Sequence, residues 1–123
     1  MNITFQGTNL DLNDDLRSFV EEKLNDAFKA FGHIKTDPIR VAIELERTTR
    51  HHRKNDALYR AEANVSVPGR LIRAEESSDD LYQAIVAMKE TLTREIRQWR
   101  ERHLDQRRNG GRAAKEMLRR LEE

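Results

Sequence analysis

At 123 residues, with 37% hydrophobic and 37% charged side chains and 23 Lys+Arg against 22 Asp+Glu, the chain suits one domain with a small core and an ionic surface. The absence of cysteine excludes disulfide scaffolding, Cys-based zinc sites and thiol catalysis, and is compatible with a reducing cytosol. No apolar run approaches the roughly 20 residues of a membrane helix, and Met1 to Phe5 lacks the basic and apolar regions of a signal peptide, so a cytoplasmic protein with no membrane partner is expected.

Residues 2–7 alternate, with Ile3 and Phe5 on one side, and read as a half-buried strand closed by Gly7. Asn13 then offers a cap ahead of Asp14 and Asp15. Leu16, Phe19, Val20, Leu24, Ala27, Phe28 and Phe31 follow at helical spacing, with Gly32 as the stop. Pro38 opens a second strand in which Ile39, Val41, Ile43 and Leu45 share one face. Tyr59, Ala61, Ala63, Val65 and Val67 repeat that alternation, and Pro68-Gly69 turns the chain into a short strand from Arg70 to Glu75.

From Ser78 onward Leu81, Ile85, Met88, Leu92, Ile96 and Trp99 form one stripe at about 100° per residue, which predicts a long helix to about residue 106. Asn109-Gly110-Gly111 is expected to end it, leaving Arg112 to Glu123 as a short or frayed helix. The chain therefore divides into a domain over residues 1–108 and a tail over 109–123, a short helix or disordered. Strand, helix, three strands, helix is an α+β order, β-α-β-β-β-α. It suits one four-stranded, mostly antiparallel sheet with both helices on one face.

The acidic corner Ser77-Ser78-Asp79-Asp80 reads as a helix start, because adjacent helical carboxylates do not face each other. Ser77 or Ser78 would cap, and the aspartates would complement the positive helix end. His51-His52 has no further ligand spacing, so no metal is expected. G-x-S-x-G, a phosphate-cradling glycine loop and H-E-x-x-H are all missing, so no catalytic residue, cofactor or small-molecule substrate is expected. Two basic clusters stand out instead. Arg47, Arg50, Arg53 and Lys54 flank the histidine pair in the connection between the second and third strands, with no acidic residue among them. On the long helix Lys89, Arg97, Arg100, Arg107 and Arg108 fall on one flank of the apolar stripe, and Arg94 lies elsewhere on its surface. Trp99 belongs to the apolar stripe and Tyr82 lies just off it, so packing is the expected role of both.

The run from Val67 to Ile85, VPGRLIRAEESSDDLYQAI, together with the start Met1 to Phe5 and the helix LRSFVEEKL from Leu16 to Leu24, resembles the ribosome hibernation promoting factor family. That family includes ribosome-associated inhibitor and sigma modulation proteins, and the likeness extends over roughly residues 1–106. It implies a fold like that of double-stranded RNA-binding domains and a non-enzymatic role. It also implies binding in the decoding channel of the small ribosomal subunit, against rRNA and channel proteins, where messenger and transfer RNA are blocked during stasis. Phosphate contacts of the family would map onto Arg17, Lys23 and Lys29 in the first helix and Lys89, Arg94, Arg97 and Arg100 in the second. Val86 and Thr91 depart from the Asp and Lys often found at those places. Long members carry a C-terminal domain that pairs two ribosomes; a chain ending at Glu123 is expected to resemble the short form without it. A general double-stranded RNA binder and an acidic-protein interaction module are the rival readings.

Overall fold

The computed structural model describes residues 1–36, 39–48 and 58–122. Its elements are β1 (Asn2–Thr8), α1 (Asp14–Phe28), a 3-10 turn (Lys29–Phe31), β2 (Arg40–Arg47), β3 (Tyr59–Val67), β4 (Arg70–Ser78) and α2 (Leu81–Glu122). The strands form one sheet in the order β1-β2-β3-β4. β1 runs parallel to β2, and β2-β3 and β3-β4 are antiparallel. A parallel neighbour needs a crossover, which α1 supplies, whereas Pro68-Gly69 makes the tight return between β3 and β4.

Period-2 alternation sends Val41, Ile43, Leu45, Ala61, Ala63, Val65, Ile72 and Ala74 to one side of the sheet, where all are buried. Leu16, Val20, Leu24 and Ala27 of α1 and Ala84, Ile85, Met88, Leu92, Ile96 and Trp99 of α2 close over them in one cluster. Three small residues, Ala61, Ala63 and Ala74, lie on the inner face and let α2 approach β3 and β4 closely. The expected α+β order, single sheet and common helical face are all present.

Two local expectations are corrected. Neither Ser77 nor Ser78 caps α2, because both belong to β4, which runs three residues beyond Glu75. Asp80 takes the role: its Oδ1 accepts from Gln83 N at 3.1 Å, and its carbonyl accepts from Ala84 N at 3.0 Å. Ser78 Oγ instead accepts from Asp80 N at 3.3 Å and holds the cap in place. Asn13 caps α1 as expected, accepting from Leu16 N at 2.7 Å. The stop expected at Asn109-Gly110-Gly111 does not occur, since α2 runs unbroken for 42 residues. Glycine costs a helix about 1 kcal/mol relative to alanine but blocks nothing sterically, and Ala113, Ala114, Lys115, Glu116, Met117 and Leu118 are strong helix formers. From Asp105 to Glu122 every residue is exposed, so this part of α2 stands clear of the body. Finally, β2 begins at Arg40, and the expected opening residue, Pro38, lies outside the described residues.

Candidate nucleic-acid interface

Lys89, Thr93, Arg97 and Arg100 each follow a buried residue of α2 by one position, after Met88, Leu92, Ile96 and Trp99. A step of about 100° therefore carries all four to the same flank of the stripe. The end of α1 and its 3-10 turn pack against that flank. The result is an open groove of about 630 Å³ lined by Lys29, Lys89, Arg97 and Arg100 together with Asp26, Ala30, Thr93, Glu101 and Leu104. Lys29 makes an exposed pair with Asp26 at 3.5 Å, of the kind that contributes little. Among the described residues Lys89, Arg97 and Arg100 have no ion pair. Four of the residues expected to meet phosphate are thus brought together.

The others are dispersed. Arg17 sits over the ring of Phe5, its Cζ 5.7 Å from the centroid, and Lys23 Nζ lies 5.2 Å above Phe19. Phe19 in turn meets Tyr82 edge-on at 4.9 Å, so the half-exposed Tyr82 packs as expected. Arg94 donates to Thr91 Oγ1 at 3.1 Å, and Thr91 donates to Glu76 at 2.8 Å. The threonine that departs from the family pattern therefore ties α2 to β4. Arg47 ends β2, where its carbonyl accepts from Asn9 Nδ2 at 3.3 Å. Arg50, His51, His52, Arg53 and Lys54 lie outside the described residues.

Arg100 is held in an unusual way. Its guanidinium lies flat against Gly32, so closely that a Cβ there would stand 2.9 Å from Arg100 Cζ. Gly32 has φ 62° and ψ −128°, a conformation open to glycine and strained for other residues. Arg100 Nε is buried without a hydrogen-bond partner, a state that costs about 1–3 kcal/mol. The opposite flank of Arg100 opens a second groove of about 430 Å³, lined by His33, Ile34, Lys35, Arg100, His103, Leu104 and Arg107. His33, Lys35 and His103 were not expected at any site. The spacing of Arg100, His103 and Arg107 does mark one helical face, but only packing reveals that the Gly32 turn faces it.

The outer face of the sheet has the opposite charge. Glu44 stands opposite Glu62, and Glu62 opposite Glu75, a ladder of like charges that would repel across the strands. Arg60 resolves it: it pairs with Glu44 and donates to Glu46 at 2.8 Å and Glu62 at 2.6 Å. Arg73 adds bonds to Glu62 at 3.1 Å and Glu75 at 2.7 Å. Burial disfavours charge on Arg60, but the bonds to Glu46 and Glu62 and the charges of Glu44 and Glu46 outweigh it, and its pKa is raised. Burial likewise pushes the Glu62 carboxyl up, yet the bonds from Asn64, Arg60 and Arg73 prevail and hold it below the usual range. With Glu44, Glu46, Glu62 and Glu75 against Arg40, Arg60 and Arg73 this face is acidic by one charge, so the chain's small net charge conceals a segregation between helix flank and sheet. Among the described residues no three His, Cys, Asp or Glu side chains converge as a metal site would require, and no helix is long and apolar enough to cross a membrane.

Residues 3–104 match the family described as sigma 54 modulation protein / S30EA ribosomal protein. Among curated relatives, the chain is 36% identical over 104 residues to a ribosome hibernation promotion factor of Deinococcus radiodurans, a match covering 85% of this chain and 51% of that one. It is 26% identical to a ribosome hibernation promoting factor of Acinetobacter guillouiae, covering 85% of this chain and 92% of the relative. The chain thus spans about half the length of the Deinococcus relative. Among solved structures, the N-terminal domain of Protein Y from Thermus thermophilus superposes with a TM-score of 0.66 at 30% identity, over 81% of this chain and 100% of that domain.

Proposed function

The chain belongs to the sigma 54 modulation protein / S30EA ribosomal protein family, and from that premise we propose that it is a non-enzymatic ribosome hibernation factor acting in the cytoplasm. It occupies the decoding channel of the small ribosomal subunit, against rRNA and channel proteins, and excludes messenger and transfer RNA from idle ribosomes. The carrying observation is the groove in which Lys29, Lys89, Arg97 and Arg100 gather. Its guanidinium and ammonium donors suit backbone phosphates, so affinity comes from charge and shape with little reading of base sequence. Arg17, Lys23, Arg47, Arg50, Arg53, Lys54 and Arg94 extend the phosphate contacts beyond the groove. The acidic outer face of the sheet, centred on Glu62, is repelled by RNA and orients the helix flank toward it. Residues up to about 108 form the binding domain, and the exposed end of α2 projects from it.

The test is co-sedimentation with purified small subunits across a salt series. Arg97→Ala and Lys89→Ala should each weaken binding and lower the slope of log affinity against log salt by about one, whereas Glu44→Ala should leave the slope unchanged. Equal slopes across the set reject the surface, and absence from ribosomal fractions at low salt rejects the function. Displacement by bulk duplex RNA at equal phosphate concentration would favour a general double-stranded RNA binder instead. A complex that survives nuclease would favour a protein partner.

A further inference from the structure

We propose that the groove between the Gly32 turn and the face of α2 carrying Arg100, His103 and Arg107 is a second phosphate site, which takes adjacent phosphodiester groups of an RNA backbone and binds protons at His33 and His103 as it does so. The proposal rests on the ribosomal reading above and adds to it a site, a set of residues and a linkage to pH.

The composition of this groove separates it from its neighbour. The first groove mixes its cations with Asp26 and Glu101. The second is lined by three permanent cations, Lys35, Arg100 and Arg107, two imidazoles and two apolar side chains, with no carboxylate among its lining residues. Asp26 of α1 and Glu101 of α2 lie along the first groove, which shares Arg100 and Leu104 with the second. Gathering so many cationic groups is unfavourable in the free protein, and an anion of two or more charges relieves it.

The site is also built rather than left to chance. The turn that carries His33 is closed by Gly32 N donating to Lys29 O at 3.1 Å and by Ile34 N donating to Phe31 O at 3.3 Å. Arg100 is fixed against Gly32, with its Nε sealed off and its terminal nitrogens left to serve the grooves. His103 is stacked on Trp99, centroids 4.8 Å apart and planes 18° apart, and Trp99 is braced edge-on by Phe31 at 5.7 Å. Held donors lose less freedom when a ligand arrives.

Imidazole is the side chain that ordinarily changes charge between pH 5 and 8. A phosphate seated among His33, Lys35, Arg100, His103 and Arg107 attracts protons to both imidazoles, so RNA binding and proton uptake assist one another. Binding must then tighten as pH falls, since the complex holds more protons than the free protein.

The measurement is affinity for purified small ribosomal subunits at pH 6 and pH 8 at fixed ionic strength, with a parallel NMR titration of the imidazoles in the presence of a short RNA duplex. The native chain is expected to bind about tenfold more tightly at pH 6. The double variant His33→Gln/His103→Gln should lose most of that difference, and His33→Gln alone, which keeps the Trp99 stack, about half. Lys35→Gln and Arg107→Gln should weaken binding at both pH values and lower the salt slope by about one each. The duplex should raise the titration midpoints of His33 and His103. A pH ratio that is the same in the double variant as in the native chain, with unmoved midpoints, overturns the site while leaving ribosome binding intact. Raised midpoints without any binding to subunits support the site and overturn the ribosomal reading.

Discussion

Replacing Gly32 by alanine separates two physical effects that meet at one position. At φ 62° and ψ −128° the backbone is strained for any residue with a Cβ, at a cost of about 1–3 kcal/mol in folding stability. The added methyl would also stand 2.9 Å from Arg100 Cζ and 3.0 Å from its terminal nitrogen. Those atoms are the far end of a flexible side chain, so the guanidinium swings away at little cost to stability and leaves the grooves it serves. Gly32→Ala should therefore lower the midpoint of thermal unfolding by about 3–6 °C for each kcal/mol lost. In a double-mutant cycle with Arg100→Ala nearly all of that loss should persist, with a coupling below about 0.5 kcal/mol. In subunit binding the two changes should be strongly non-additive, because Gly32→Ala has already displaced the group that Arg100→Ala removes. Urea unfolding and binding assays on the four proteins decide it. A stability coupling above 1 kcal/mol would mean that Arg100 cannot yield, and additive losses in binding would mean that the glycine does not position it.

Other substitutions probe the frame. Arg60→Ala should cost about 2–3 kcal/mol, read by urea denaturation, because it strands the partly buried carboxylates of Glu44, Glu46 and Glu62. The Glu62 carboxyl is lowered on folding, so its contribution is present above the ordinary carboxylate range and is lost as pH falls through the depressed value. Glu62→Gln should accordingly flatten the decline of stability between about pH 5 and 3, and an unchanged acid profile would refute the assignment. Asp80→Ala should cost about 1 kcal/mol by removing the α2 cap, while Ser77→Ala should cost far less, read from chemical denaturation of both variants. Nothing lies within 4 Å of a Cβ built at Gly110 or Gly111, so Gly110→Ala/Gly111→Ala should raise helical circular dichroism and slow amide exchange over residues 105–122. The global unfolding midpoint should barely move, since those residues are exposed.

Much of the frame was legible because its signals are local. The alternation from Val41 to Leu45 and from Ala61 to Val65 marked the inner sheet face residue by residue, and the stripe from Leu81 to Trp99 marked the buried side of α2. The same stripe fixed the flank of Lys89, Arg97 and Arg100, so most of the first groove could be read from spacing. Local signals failed where competing effects had to be weighed. At Gly110-Gly111 the helix formers that follow outweigh the glycine penalty, and at Ser77-Ser78 the extension of β4 moves the cap to Asp80.

By itself the sequence determined the order of elements, the sides that bury and the flank that carries charge, because each follows from a repeat of two or 3.6 residues within one segment. Tertiary structure alone decided which segments meet. His33 and His103 share a groove because Phe31 packs edge-on against Trp99 and brings the Gly32 turn onto α2, and Arg60 gathers three strands' glutamates because pairing register sets them side by side. Both are contacts between distant parts of the chain, whose proximity is fixed by the packing of the core and by no local periodicity.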